Sequence, residues 1–414
     1  MKNIIGRRTL IGGAAALASA GTIAGSRARA QAATTIKIGM LGDMSGVYRD
    51  ISGPMSVACT NAAIQDSGLA ARGFKVEVLV GDHQNKPDVG SSVVRQWIDR
   101  DGVDMIVDAP NSGVSLAISQ IIRDKDKIFI STGAATSDLT GKACSPNTIH
   151  WVYDTWMLAK STGGALVKNG GDSWFFITAD YAFGHALEAD TGNFVKAQGG
   201  KVMGAVRVPL ATPDFSSYLL QAQASKAKIV GLCNAGGDTI NSIKQAAEFG
   251  LGAAGVRVAG LLVFISDVHA LGLKIAQGLV LSNTFYWDLN EGTRKFAKKV
   301  NAVVKDAQPG MSHAGVYSGT LHYLKTIGEM GGDAGKKSGR DTVARMRAKP
   351  AEDDAFGTTT IREDGRALHP VYLFQVKSPT ESKGAWDYYK LLATTPANEG
   401  FRPINEGGCS LVKA

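Results

Sequence analysis

The sequence predicts an α/β protein made of two doubly wound lobes. Short apolar segments alternate with amphipathic segments, as is typical of parallel strands joined by helices. This alternation begins at Thr35, runs to Ser131, and starts again near Asp154. The length of 414 residues also exceeds what one compact core usually holds.

In the first unit, four strands alternate with three helices. The predicted strands are TIKIGML, FKVEVLV, VDMIVDA and KIFIS. The first helix opens at Pro54, and its apolar residues Met55, Ala58, Cys59 and Ala62 have helical spacing. The segments DVGSSVVRQWID and GVSLAISQIIRD predict the next two helices. Strands this short and apolar indicate a buried parallel sheet.

The second unit repeats the arrangement, with a crossing between the lobes near Tyr153–Thr155. Its predicted strands are SWFFITAD, KVMGAVRV, AKIVGLCN and VRVAGLLVF, each preceded by a helix. After Ser266 we expect a further strand, QGLVLSNTFY, then three helices and several later strands.

The first 32 residues predict a cleaved export signal of the twin-arginine type. Arg7 and Arg8 precede an Ala/Gly-rich apolar stretch that ends in small residues, at Ala30 or Ala32. This places the mature protein in the periplasm. The segment contains five basic residues and no acid, so the formal net charge of +8 falls to +3 on removal. Nucleic-acid binding then has no support from composition.

Two of the four cysteines are predicted to form a disulfide. Cys144 and Cys409 lie among turn residues, whereas Cys59 and Cys233 lie in apolar segments. An exported protein meets an oxidising compartment, so we expect a Cys144–Cys409 bond and two buried thiols.

No motif predicts a cofactor, a metal or a hydrolase. The segment GLGAAG, Gly250 to Gly255, follows a helix and precedes a strand, which is the reverse of a dinucleotide-binding loop. His-x-x-x-His and Gly-x-Ser-x-Gly are absent from the sequence. We therefore expect a protein that is not an enzyme and carries no cofactor or metal.

Polar loops follow the predicted strands, where parallel sheets bind ligands. GDMSGVYRD, APNSGVS and STGAATSDLT follow strands of the first unit, and TADYAFGHA and NAGGDT follow strands of the second. Hydroxyls and free N–H groups beside helix N-termini suit an anion such as a carboxylate. The alternative is that these side chains only cap helices.

These motifs resemble the periplasmic solute-binding proteins of branched-chain amino acid-type ABC transporters, the leucine-binding family. STGAATSDLT and ADYAFGHAL are similar to two loops of that family, and the resemblance covers nearly the whole mature chain. It implies the type I periplasmic binding protein fold, with lobes of residues 34–154 plus 267–367 and 155–266 plus 368–414 joined by three crossings. It also implies a monomer that delivers a small solute to membrane permease subunits.

The resemblance further implies a set of ligand-binding residues. A carboxylate would be held by the first lobe, and Asp154, Tyr181 or Phe183, and Asp238 would contact other parts of the ligand. The residues expected at the carboxylate are Ser112, Ala134, Ala135 and Thr136. Asp238 is the candidate partner for an α-amino group.

The candidate wall of the site is rich in aromatic residues. Its members are Tyr48, Tyr153, Trp156, Tyr181, Phe183, Phe285 and Tyr286. Flat rings stack well on such residues. Two ligand classes therefore stay open: a hydrophobic amino acid, or an aromatic carboxylate related to benzoate or cinnamate. A sensor and an α/β hydrolase are more distant alternatives.

Overall fold

The computed structural model describes residues 34–413, so the predicted export signal lies outside the described residues. The strands alternate with helices along most of the chain, as the sequence predicted. The strands are β1 Thr35–Gly42, β2 Lys75–Asp82, β3 Met105–Asp108, β4 Ile128–Ser131, β5 Thr148–His150, β6 Ser173–Ala179, β7 Lys201–Val208, β8 Ile229–Cys233, β9 Arg257–Gly260, β10 Val280–Asn283, β11 Ala351–Asp353, β12 Gly357–Ile361, β13 Ala367–Leu368, β14 Val371–Val376 and β15 Tyr389–Thr395. The helices are α1 Gly53–Asp66, α2 Pro87–Gln96, α3 Ser112–Asp124, α4 Thr155–Leu158, α5 Gly164–Lys168, α6 Ala182–Ala197, α7 Ser216–Ala224, α8 Gly237–Glu248, α9 Ile265–Leu271, α10 Leu273–Ala276, α11 Glu291–Asn301, α12 Met311–Glu329, α13 Asp333–Lys336, α14 Gly339–Arg347 and α15 Ala397–Gly400.

Two parallel sheets form the centres of two α/β lobes. The first lobe contains the sheet β2-β1-β3-β4-β5, and the second lobe contains β7-β6-β8-β9. In each sheet the first strand lies inside, with the second strand on one side of it and the third strand on the other. Thus β1 is flanked by β2 and β3, and β6 is flanked by β7 and β8. This reversal of strand order leaves a crevice at the carboxyl ends of β1 and β3 in one lobe and of β6 and β8 in the other.

The segment after residue 266 corrects the predicted lobe boundary. β10 pairs with β14, which pairs with β15 in a small antiparallel sheet. Leu281 and Phe374 of this sheet share one buried cluster with Ile177 and Val230 of the second lobe. The crossing back to the first lobe therefore follows β10, because burying the apolar face of this strand completes the second core.

The GLGAAG segment is a turn, which confirms its interpretation from the sequence. Helix α8 ends at Glu248, Gly250 takes a left-handed conformation with φ of +69°, and β9 begins at Arg257. A glycine at this position ends the helix without a Cβ clash. Across residues 34–413, none of the helices has the length and apolar character needed to cross a membrane.

Candidate functional site

A small cavity lies where the carboxyl ends of the two parallel sheets face each other. Its volume is about 10 Å³, close to the minimum needed to hold one water molecule. Each lining residue follows a strand of one sheet or the other. The lining consists of Tyr48, Ile51, Pro110, Gly133, Ala135, Tyr153, Tyr181, Phe183, Ala235 and Leu262. The crevices of both lobes thus form a single site, which we call the closed cavity.

A pair of tyrosines joins the two lobes at this cavity. The hydroxyl oxygens of Tyr48, after β1, and Tyr181, after β6, lie 2.5 Å apart. Burial raises the pKa of both hydroxyls, so both are neutral at ordinary pH. Next to them the Gly237 N–H donates to the Val47 carbonyl over 3.2 Å. These contacts hold the lobes in a closed arrangement.

The loop after β4 is organised around the hydroxyl of Ser112. The N–H groups of Ala135 and Thr136 donate to Ser112 Oγ over 3.3 and 3.2 Å. The Ala134 carbonyl contacts His150 Nε2 at 2.7 Å instead of the cavity. Thr136 Oγ1 caps the turn Ser137–Thr140 by accepting from the Asp138 N–H. Ala135 is therefore the member of this predicted group that lines the cavity.

The first lobe has strained backbone beside the cavity. Asp108 and Ala109 take left-handed conformations, with φ of +85° and +58°, immediately before Pro110. Such conformations are costly for residues other than glycine and often occur at functional sites. The Asp108 carboxylate accepts from Ser52 Oγ over 2.5 Å, and burial raises its pKa to about 6.

Asp154 lies at the crossing between lobes and is engaged by protein groups. Its carboxylate accepts from the Met157 N–H over 2.8 Å at the start of α4. It also pairs with Arg366, at 3.1 Å, and both side chains are buried. Arg366 donates in addition to the carbonyls of His150 and Val152. The structure thus places Asp154 in a hinge ion pair, whereas the sequence predicted a ligand contact.

Asp238 is a buried acidic residue in the first turn of α8 in the second lobe, and it is not among the residues that line the cavity. Its side chain is 2% exposed, and Oδ2 accepts from the Ala211 N–H over 3.1 Å. Among the described residues, Oδ1 has no hydrogen-bond partner. Burial raises the pKa of Asp238 to about 6, and its charge contributes to the raised pKa values of Tyr48 and Tyr181. A cation or a hydrogen-bond donor next to this buried oxygen would offset the cost of burying it without a partner.

Three members of the predicted aromatic wall lie outside the cavity. Phe285 packs in the first lobe against Phe296 and Phe356, at ring-centre distances of 5.7 and 6.0 Å. Trp156 packs on Phe194, and Tyr286 packs in the second core. Phe285, which was expected at the ligand, lies in a core cluster, because an aromatic residue after a strand also fills a core; its contact with a ligand stays a prediction.

The cavity contains small and aliphatic residues that the sequence reasoning did not identify. They are Ile51, Pro110, Gly133, Ala235 and Leu262. Each follows a strand end, and that position was the available signal. Their side chains carry no polar group, so no donor or acceptor distinguishes them in the sequence.

The C-terminal tail is bonded to the first lobe. Cys144 and Cys409, the predicted pair, form a disulfide with Cα atoms 5.6 Å apart. Arg402 Nη2 donates to the Ser137 carbonyl over 2.8 Å, and the Phe401 ring lies 4.7 Å from the Arg366 guanidinium carbon. The tail therefore packs beside the hinge, and Cys59 and Cys233 are buried thiols.

Comparison with known proteins agrees with this geometry. The family model described as periplasmic binding protein matches residues 35–385. The chain belongs to the periplasmic binding protein family. A solved periplasmic binding protein from Burkholderia mallei is 45% identical, with a TM-score of 0.88 over 92% of this chain and all of the other.

Two further members of the family are similar over most of their length. The branched chain amino acid ABC transporter periplasmic ligand-binding protein from Burkholderia xenovorans is 37% identical, with a TM-score of 0.78. The alignment covers 91% of this chain and 99% of that one. Leu/Ile/Val-binding protein homolog 6 from Brucella melitensis is 26% identical over 75% of this chain and 80% of its own length. The periplasmic binding protein fold thus extends over nearly all the described residues.

Proposed function

We propose that this periplasmic binding protein captures a hydrophobic amino acid between its lobes and delivers it to the permease subunits of an ABC transporter. The observation that carries the proposal is the closed cavity lined by strand ends of both sheets. In this closed arrangement the cavity has a volume of about 10 Å³, which is room for about one water molecule, so the lobes must separate to admit a solute and then close on it. In this proposal the protein is a monomer, is exported through its twin-arginine signal, and returns the solute unchanged.

The site offers donors for a carboxylate and an acceptor for an ammonium group, and an amino acid has both. The N–H groups of Ala135 and Thr136 face a neutral hydroxyl at distances above 3.1 Å, and a carboxylate is a stronger acceptor. The buried Asp238 Oδ1 suits an ammonium group. The rings of Tyr48 and Phe183 would then contact the apolar side chain.

The second candidate is an aromatic carboxylate. Four of the ten lining residues are aromatic, and these offer ring faces or edges to a planar acid. Such a ligand has no ammonium group, so Asp238 would have to stay protonated beside it. Its raised pKa, about 6, makes this possible only in mildly acidic solution.

Titration calorimetry on Asp238→Asn distinguishes the two. For L-leucine or L-phenylalanine, loss of the carboxylate should weaken binding by tenfold or more, on the scale of a charge-assisted hydrogen bond. Benzoate binding should be unchanged or stronger in the variant. Asp172→Asn, on the exposed surface of the second lobe, is the matched control. Absence of binding by all three compounds at millimolar concentration would refute the proposal.

A further inference from the structure

A second cavity, which we call the outer pocket, lies between the lobes next to the closed cavity. The two share the turn Arg49–Ile51: Ile51 lines the closed cavity, while Arg49 and Asp50 line the outer pocket. The outer pocket has a volume of about 320 Å³, at the lower end of the range of small-molecule sites. Met55 comes from the first lobe and His269 from the second, so the pocket requires the closed arrangement.

An aromatic platform forms one wall of the outer pocket. The rings of Trp386 and His269 are stacked, with centres 4.0 Å apart and planes within 5°. His269 Nδ1 contacts the Tyr388 hydroxyl at 2.8 Å, which fixes the imidazole. The indole of Trp386 is half-buried, and thus partly open to solvent.

Trp386 is held in a conformation that a bulky residue rarely adopts. Its φ is +69°, in the left-handed region. Its carbonyl accepts from Trp287 Nε1 over 2.9 Å and from the Tyr286 hydroxyl over 3.1 Å. Strain of this kind persists only where the surroundings enforce it, and it is frequent in ligand clamps. The structure therefore keeps this ring in place despite a backbone cost.

The charges of the outer pocket favour a cation. Arg49 pairs with Asp50 over 2.9 Å, so these two charges offset each other. Asp306 also lines the pocket, and within residues 34–413 it forms no ion pair. With neutral histidines the lining therefore has a formal charge of −1.

We propose that the outer pocket is a second ligand site, which takes a planar aromatic amine stacked on Trp386 with its ammonium group toward Asp306. Because both lobes line this site, its occupant binds the closed form and stabilises it. Occupancy of the outer pocket and binding in the closed cavity then strengthen each other. The site does not depend on which solute the closed cavity holds.

Benzylammonium is the probe, titrated into the mature protein by calorimetry and by tryptophan fluorescence. Trp386→Gly should weaken its binding tenfold or more, because the stacking surface is lost. Glycine accepts a φ of +69° without strain, which offsets part of the packing lost with the indole, and the melting temperature of the variant is measured alongside to show that it is folded. Asp306→Asn should weaken benzylammonium binding and leave the neutral ring of benzyl alcohol unaffected. Trp156→Ala, a tryptophan that packs on Phe194 away from both cavities, is the control.

Two outcomes would overturn the proposal. Benzylammonium affinity unchanged in Trp386→Gly would exclude stacking on this residue. Benzylammonium binding abolished by Asp238→Asn but not by Trp386→Gly would place the ring in the closed cavity. Titrations with leucine and benzoate test the closed cavity separately, so failure there leaves the outer pocket to be judged by the benzylammonium data.

Discussion

The hydroxyl oxygens of Tyr48 and Tyr181 lie 2.5 Å apart, across the junction of the two lobes. Tyr48 follows the first strand of one sheet, and Tyr181 follows the first strand of the other. The two loops are also joined by the hydrogen bond from the Gly237 N–H to the Val47 carbonyl. The closed arrangement thus includes a direct contact between these two loops, and Ser137 Oγ of the first lobe also donates to Asp190 of the second over 3.1 Å.

Gly236→Ala should weaken ligand binding by selectively disfavouring closure. Gly236 has φ of +57°, and an added Cβ would lie 2.4 Å from the Val47 carbonyl oxygen and 3.1 Å from the Tyr48 ring. Because these neighbours belong to the other lobe, the clash disappears when the lobes separate. We expect affinity for the solute, measured by calorimetry, to fall at least tenfold.

The matched control is Gly250→Ala. Gly250 has a similar φ of +69°, but an added Cβ would meet no atom within 4 Å. This variant bears only the backbone strain of an L-residue in the left-handed region, about 1–2 kcal/mol. Equal affinities of the two variants would contradict a role for Gly236 in closure.

Amino acid binding should weaken as the pH falls through about 6. Burial raises the pKa of Asp238 to about 6, and an ammonium group requires the ionised carboxylate. Affinity at pH 5 should therefore be roughly tenfold below that at pH 7, in proportion to the ionised fraction. Calorimetry over this range, in buffers of different ionisation heat, would also detect proton release on binding.

Asp238→Asn is needed to interpret this pH dependence, since other buried acids titrate nearby. Burial also raises the pKa of Asp108 to about 6 and that of Asp267 to about 7. If the variant keeps the full pH dependence, Asp238 is not its source. The folding stability of the ligand-free protein should depend on pH in the opposite direction to the affinity. A raised carboxyl pKa stabilises the fold at low pH, and this stability is lost as the pH rises through 6.

Loss of the disulfide should lower the stability of the protein. Replacing Cys144 and Cys409 by serine removes a bond that closes a loop of 265 residues. We expect a loss of about 2–5 kcal/mol in the free energy of unfolding, seen as a lower melting temperature. Reductant should bring the wild-type protein to the same melting temperature and leave the double variant unchanged. A further drop of the variant in reductant would point to another cause.

Breaking the hinge ion pair should cost more than breaking a surface pair. Asp154→Ala leaves Arg366 buried without its partner, and burial already lowers the pKa of Arg366 to about 10. We expect a loss of about 3–5 kcal/mol by urea unfolding. The exposed pair Asp172–Lys228 is the control, and Asp172→Ala should cost less than about 1 kcal/mol.

A compensated variant separates charge from packing at the hinge. Asp154→Leu combined with Arg366→Met removes both charges and should be more stable than Asp154→Ala alone. If the double variant is the less stable of the two, the hydrogen bonds from Arg366 to the His150 and Val152 carbonyls dominate instead.

Several features of the site follow from sequence periodicity. The alternation of strands and helices predicts parallel sheets, and carboxyl ends of parallel strands meet at one edge. This reasoning placed the loops that contain Tyr48, Ala135, Tyr181 and Phe183 at strand ends. The family resemblance implied Ala135 and either Tyr181 or Phe183 as ligand-binding residues, and all four residues line the cavity. The disulfide pair was recognisable because both cysteines lie in turns of an exported chain.

The sequence by itself determined the α/β class, the two-lobe repeat and the strand ends that form the cavity, because these follow from local periodicity. Only the tertiary structure decided how single polar and aromatic residues are used. Asp154 meets Arg366, 212 residues away, and forms a hinge pair. Phe285 fills a core, and β10 joins the second lobe by pairing with β14. Such outcomes depend on partners distant in the chain, and local patterns contain no information about which partner will be there.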